Sequence, residues 1–352
     1  VLMLRRKARI SYQAALRRIL DTDFITESMG LIKFIIIFTF IIEIIGVFIL
    51  FFFWNLPLFG WKEKIFYSIF HSISAFANAG FSLFSDSLTA FNGDIVLNIT
   101  IMLLIVFGGL GFMVMVDLKK GFWGIIRRDY SFRHFHIHTK IMLAATIILI
   151  IAGAAGFLIF EKNNPDFGSH PIISSFFQSI TARTAGFNTV DIGALSAPSY
   201  LLLMALMFIG GGAGSTAGGV KVTTIVILFI LAISFIRRRK EVSVFGRTLT
   251  LGNIFSAVVV FFFAISVLFF FLILLLYTEN GSFREVLFEA ISAFGTVGPS
   301  TGITPELTFF GKVFIIILMF IGRIGPLSLV FITMRETENA LIRYPHERVV
   351  VG

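Results

Sequence analysis

The chain has no cysteine, which excludes thiolate metal sites, thiol catalysis and a disulfide framework. Charge is scarce too. Only 14% of its 352 residues are charged, against roughly 25% in soluble domains. A water-soluble globular enzyme or a solvated disordered tail is therefore excluded. No paired carboxylates and no nucleophile beside a base stand out, so an enzyme reading has no catalytic group to rest on. What fills the space is apolar: 57% of residues, with 45 Phe and a mean hydropathy of +0.94. That composition belongs to a membrane protein.

Six apolar runs are long enough to cross a hydrocarbon core, which takes about 20 helical residues. They are Leu31–Phe53, Ile95–Val116, Ile141–Phe160, Tyr200–Phe235, Asn253–Tyr277 and Gly311–Met334. Lys and Arg set the orientation. The amino-terminal lead to Lys33, the links Lys119–Lys140 and Lys221–Arg247, and the tail from Arg335 hold 22 of the 29 basic residues. If the runs alternate across the membrane these lie on one side, which the positive-inside rule makes cytoplasmic. The net charge of +9 is then a membrane signature rather than a nucleic-acid footprint, with lipid as the surrounding partner and no nucleic acid.

Between paired runs lie three shorter, semi-polar stretches on the outer side, and they repeat. Phe70–Ser82, Phe176–Asn188 and Phe288–Ser300 align without gaps on Gly80, Gly186 and Gly298. Phe stands ten residues before each Gly, and Asn or Thr two before it. The following runs match as well: Phe107-Gly-Gly-Leu-Gly111, Ile209-Gly-Gly-Gly-Ala213 and Ile321-Gly-Arg-Ile-Gly325. The expected architecture is an all-α polytopic membrane protein built of helix–pore-loop–helix units. Unit I covers 31–118, unit II 141–236 and unit III 253–334. Between and around them lie a lead 1–30, links 119–140 and 237–252 and a tail 335–352.

Each short stretch has room for about ten helical residues, so it must re-enter the membrane rather than cross it. A half-helix of this kind aims its carbonyl end, worth about half a negative charge, at the membrane interior. The turns that follow are Ala77, Asn78, Ala79 and Gly80; Arg183, Thr184, Ala185 and Gly186; and Gly295, Thr296, Val297 and Gly298. Such turns can offer backbone carbonyls to a dehydrated cation, and Gly permits their shape. Such a filter wants pseudo-fourfold symmetry, so a further unit of about 90 residues, two spans and a half-helix, is expected upstream of Val1. The visible three would then be repeats two to four.

One segment interrupts the run Tyr200–Phe235: Gly210, Gly211, Gly212, Ala213, Gly214, Ser215, Thr216, Ala217, Gly218 and Gly219, then Val220 and Lys221. It is not a phosphate loop, because Val220 stands where Lys would follow Gly219. Small residues could serve close helix packing. The favoured reading is a broken helix whose unwound backbone plugs the ion path. Arg323, in the middle of the last run, costs about 2.5–3.5 kcal/mol to insert. It is either paired with Glu43 or Asp117, or set beside the path as a barrier to cations. Arg183 sits in a filter turn and is expected to point behind it, toward an acid such as Asp191. His134, His136 and His138 alternate in a basic link with no carboxylate beside them in sequence, which reads as a solvated surface rather than a metal site.

The same residues resemble the Trk/Ktr/HKT superfamily of potassium transporters, and within it the KtrB type. The resemblance rests on Phe70-His-Ser-Ile-Ser-Ala-Phe-Ala-Asn-Ala-Gly80-Phe-Ser-Leu and Arg183-Thr-Ala-Gly-Phe-Asn188. It rests equally on Phe294-Gly-Thr-Val-Gly298, Met319-Phe-Ile-Gly-Arg-Ile-Gly-Pro-Leu327 and the ending Ile342-Arg-Tyr-Pro … Val-Gly352. It implies a potassium-translocating subunit, often sodium-dependent, that forms a homodimer on a cytoplasmic KtrA-type ring. ATP or ADP would bind that ring. It further implies that Gly80, Gly186 and Gly298 are filter glycines, that Gly210–Lys221 is an intramembrane gate, and that Arg323 is a constriction arginine. Potassium-over-sodium choice would depend partly on the repeat expected upstream. The rival functions are an alternating-access symporter using the same segments and a membrane scaffold that docks a cytoplasmic complex.

Overall fold

The computed structural model describes residues 28–56, 60–126, 135–239 and 241–325. The expectations for His134, residues 1–27, residues 326–334 of unit III and the tail 335–352 lie outside the described residues.

Unit I begins with α1 (Ser28–Phe53), a 26-residue helix whose Ile36, Phe40, Ile44, Phe48 and Phe52 are exposed. Four-residue spacing puts these on one face, apolar as a surface at membrane depth that meets lipid or another apolar helix must be. The short helix α2 (Trp61–Phe76) follows, then α3 (Ile95–Leu110) and α4 (Phe112–Ile126). Unit II repeats the order with α5 (Ile137–Phe160), the short α6 (Pro171–Thr181), α7 (Ala197–Phe208) and α8 (Val222–Ile236). Unit III has α9 (Leu251–Thr278), the short α10 (Phe283–Gly295) and α11 (Phe309–Ile324). Between units II and III the link folds into a hairpin, β1 (Ser243–Val244) with β2 (Arg247–Thr248). Its turn residues Phe245 and Gly246 both have positive φ, the backbone a tight two-residue hairpin requires.

The interruption expected within Tyr200–Phe235 is present, but the run Ile95–Val116, expected as one span, is broken as well. Among the described residues only α1, α5 and α9 are long and apolar enough to cross alone, and α3 with α4 passes the same test as a pair bent by 102°. Within the described residues the second helix of every unit stops at one equivalent place. Gly111 carries φ +95° and Gly325 φ +85°, while unit II inserts the loop between Phe208 and Val222. Hydropathy sees apolar residues continue through the break and cannot register the glycine that ends the helix.

The short helices are exposed where they begin and buried toward their C-terminal ends. Gly46 on α1 and Gly153 on α5 leave room for Ser72 and Ser179 from the short helices. Those hydroxyls donate to the carbonyls of Glu43 at 2.8 Å and Ile150 at 2.9 Å. Small residues permit this close approach, which drives helix association where water is absent. At the far end of α5, Glu161 accepts from Ser196 N–H at 2.9 Å and Oγ at 2.7 Å, holding the start of α7. Glu279 at the end of α9 does the same for α11 through Thr308 N–H at 2.9 Å and Oγ1 at 2.6 Å. A carboxylate at a helix N-terminus also suits the local dipole.

Candidate functional site

The three short helices stop at Phe76, Thr181 and Gly295, and the chain turns sharply after each. Two residues before the aligned glycine the backbone is left-handed every time: Asn78 at φ +49°, Thr184 at +81° and Thr296 at +52°. The glycines follow at +70°, +88° and +110°. Asn tolerates this region, whereas a β-branched Thr is strained there. Finding that strain at equivalent positions of two units marks a shape the surroundings enforce.

Hydroxyls do the enforcing. Ser74 donates to the Phe81 carbonyl at 2.9 Å, Thr181 to Phe187 at 2.7 Å and Ser292 to Pro299 at 2.7 Å. Each acceptor is the residue just after the turn glycine, so each short helix straps its own turn from behind. These three residues were not singled out in the sequence. Their signal was a Ser or Thr five or six positions before each glycine.

The turns lie side by side in the order I, II, III. A Cβ on Gly80 would run into the Ala185 carbonyl, and one on Gly186 into the Val297 carbonyl. The fold thus brings together Ala77–Gly80, Arg183–Gly186 and Gly295–Gly298. Approach this close between backbones needs glycine for space as well as for φ.

The segment Gly210–Lys221 runs across the helix side of all three turns. Toward unit I, the Thr216 hydroxyl accepts from the Asn78 side-chain amide at 2.9 Å, and its proton lies between the carbonyls of Gly108 at 3.0 Å and Phe76 at 3.3 Å. A Cβ on Gly210 would sit 3.4 Å from the Thr184 methyl, and one on Gly218 would overlap the Thr296 hydroxyl. The loop is also paired with the break in unit I. Gly212 N–H donates to Gly109, Thr216 N–H to Gly108, and Phe112 N–H to Gly214. Backbone groups freed by the 102° bend therefore find partners in the loop, as non-helical backbone at membrane depth must. The loop's own ends pair through Gly210 N–H to Val220 O at 2.9 Å and Val222 N–H to Gly211 O at 3.1 Å. Lys221 Nζ folds back onto the Ala217 carbonyl at 2.6 Å.

Of three side-chain expectations, two need correction and one is narrowed. Arg183 is buried behind its turn as expected, but it reaches Thr146 on α5 at 3.3 Å, not Asp191. Asp191 instead accepts from the Gly193 N–H at 2.8 Å in a local turn. Arg323 makes no ion pair among the described residues, so neither Glu43 nor Asp117 is its partner, which leaves the other reading, a charge set beside the path. Asp117 is engaged elsewhere, with His136 Nδ1 at 2.9 Å and the Thr139 hydroxyl at 2.6 Å. The histidine link therefore does have a carboxylate neighbour, brought in from α4. Arg183 and Asp117 thus find their partners at other helices, Thr146 on α5 and His136 with Thr139 at the start of α5.

The chain as a whole has counterparts among known proteins. Residues 3–341 match the family model TrkH, cation transport protein. The chain belongs to the TrkH family. Among its curated relatives, Ktr system potassium uptake protein B of Vibrio alginolyticus is 42% identical over 92% of this chain and 70% of that protein. The Bacillus subtilis (strain 168) protein of the same name is 39% identical over 100% of this chain and 78% of its own length. The potassium/sodium uptake protein NtpJ of Enterococcus hirae is 35% identical, covering 99% and 77%. In fold, the chain is similar to the crystal structure of the potassium transporter TrkH from Vibrio parahaemolyticus, with a TM-score of 0.71 at 20% identity, over 92% of this chain and 69% of that one. As a TrkH-family member it is a cation transporter of the membrane and not an enzyme.

Proposed function

We propose that this chain takes potassium into the cell through a pore whose filter is made by Ala77–Gly80, Arg183–Gly186 and Gly295–Gly298. The observation that carries the reading is the side-by-side set of three turns, each with a left-handed residue, a glycine and a hydroxyl strap at matching positions. Such turns suit a cation stripped of water. Relatives named for potassium uptake at 39–42% identity support the choice of ion. A relative named for potassium and sodium supports sodium as a coupling or activating ion. In this proposal Gly210–Lys221 is the gate, since it crosses beneath the turns, and Lys221 and Arg323 add positive charge beside it. The units 31–118, 141–236 and 253–334 form a homodimer's subunit, with the basic links and tail on the cytoplasmic side. A KtrA-type ring that binds ATP or ADP moves the loop aside.

The test is rubidium or potassium uptake in cells lacking their own potassium transporters, with Gly186→Asp and Gly298→Asp as probes. Loss of uptake or altered ion preference, with membrane expression intact, is the expected result. Uptake untouched by both substitutions would overturn the filter. Expression without any flux, even beside the ring partner, would favour a scaffold.

A further inference from the structure

Nine residues before the turn glycine, two of the short helices carry a buried titratable side chain: His71 in α2 and Glu289 in α10. The pore reading gives neither a task. Both reach the same place in their units. His71 Nε2 lies 3.3 Å from the hydroxyl of Ser82, two residues past Gly80, and accepts from the Leu83 N–H at 3.5 Å. Glu289 Oε1 accepts from the hydroxyl of Ser300, two residues past Gly298, and from the Thr301 N–H at 3.2 Å. Thr304 Oγ1 adds a bond to the other carboxylate oxygen at 3.1 Å. The same two groups, a hydroxyl and the next N–H, are thus gripped in both units.

The chemistry of His71 fits this task. Its Nδ1 sits 2.8 Å from the Tyr67 carbonyl, which can only accept, so the proton is on Nδ1 and Nε2 offers a lone pair. Unit II shows the alternative. Phe177 stands at the same position and cannot bond, and the exit segment is held by unit I instead. Asn188 N–H donates to Ser87 Oγ at 3.0 Å, Leu88 N–H to Asn188 O at 2.9 Å, and the Asn92 amide to Thr189 O at 2.8 Å. The Ser82 oxygen also lies 3.2 Å from the Ser87 carbonyl, so its single proton can serve either that carbonyl or His71 Nε2, and the clamp sits beside the unit II exit.

We propose that His71 and Glu289 are positioning residues for ion selection, clamping the segments that leave the first and third turns and so fixing the width of the filter at its glycine end. The proposal rests on the filter reading above. Carbonyl oxygens discriminate between cations of different radius only while their positions are held. The strap from Ser74 or Ser292 holds the residue after the glycine, and the clamp holds the next two.

The experiment measures rubidium and sodium influx in cells lacking their own potassium transporters, for His71→Phe, His71→Gln, Glu289→Gln and Ser82→Ala, with Gly186→Asp alongside. Membrane expression is measured for each. His71→Phe imposes the unit II side chain and is expected to lower the rubidium-to-sodium ratio about tenfold, the scale of one lost hydrogen bond. His71→Gln, whose amide oxygen can accept, is expected to keep most of the wild-type ratio. Glu289→Gln keeps shape but loses acceptors and falls between them. Ser82→Ala removes the other half of the clamp with little change in volume. It should shift the ratio in the same direction as His71→Phe, and the pair should not add. Wild-type ratios in His71→Phe and Glu289→Gln, with uptake lost in Gly186→Asp, would overturn the clamp and leave the filter standing. Equal shifts in His71→Phe and His71→Gln would also overturn it, because packing alone would then explain both. Uptake unchanged in Gly186→Asp would instead sink the filter reading itself.

Discussion

The glycine turns and the Gly210–Lys221 loop are both non-helical backbone at membrane depth, yet they are held in opposite ways. Each turn is fixed from within its unit, by a hydroxyl on the helix that feeds it. The loop pairs its own ends, and its middle is fixed from outside, by backbone groups of unit I and by contact with Thr296 of unit III. A structure strapped by its own unit keeps its shape when neighbours move. One held by neighbours can be released when they move, which is what a gate needs. Most loop glycines are packed as tightly as those of the turns, and the loose point is the loop tip. Gly80 and Gly186 back onto carbonyls of the next turn, whereas Gly214 at the loop tip has nothing within 4 Å of an added Cβ.

The contrast is sharpest in an alanine pair. Gly186→Ala is expected to abolish uptake, since the Cβ overlaps the Val297 carbonyl at a φ of +88°. Gly214→Ala meets open space and pays only the left-handed penalty of about 1–2 kcal/mol, so uptake should survive. Equal loss in both would erase the distinction. Next in size is shortening the loop by removing 213–217. If the loop blocks the path, uptake should rise several-fold and respond less to the closed state of the assembly. Unchanged flux in open and closed conditions would end the gate reading.

Thr216→Ala probes the loop's grip on unit I. It leaves the Asn78 amide and the Phe76 carbonyl without their partner, worth about 1–3 kcal/mol, and should lower the thermal midpoint of the purified protein while raising flux. Ser292→Ala probes the turn's own strap. About 1 kcal/mol of stability should be lost, together with a weaker preference for potassium over sodium in competition uptake.

The smallest effect concerns the helix-end carboxylates. Burial alone pushes the Glu161 carboxyl up, and the hydroxyls of Ser196 and Ser199, the Asn164 amide and the Ser196 N–H outweigh it, holding it below the ordinary range. Burial likewise opposes, and Thr308, Thr278 and Lys312 overcome, at Glu279. A depressed folded value stabilises above the unfolded pKa, near 4.3 for glutamate, and that contribution is lost as pH falls through the folded value. Midpoints measured against pH should therefore drop on the acid side, and less so in Glu161→Gln and Glu279→Gln.

How much of this was legible beforehand depends on distance along the chain. Three aligned glycines, a Phe ten before and an Asn or Thr two before are local patterns, and the turns formed where they predicted. The interruption at Gly210 was equally plain, because so many small residues cannot sustain a helix. The bend at Gly111 was missed because apolar residues run through it. The partner of Arg183 was misassigned and that of Asp117 missed, and the choice for Arg323 stayed open, because each lay between groups on different helices and spacing along one helix says nothing about its neighbour.

By itself the sequence determined the class of the protein, its threefold internal repeat, the place of each turn and the need for glycine there. Those follow from apolar content, which selects the solvent, and from backbone sterics, which act over a few residues. Only the tertiary structure decided which turn lies beside which, what straps and clamps them, and where the loop rests. Thr216 meets Asn78 across 138 positions of sequence, and a contact of that kind is set by how helices pack, not by the residues on either side of it.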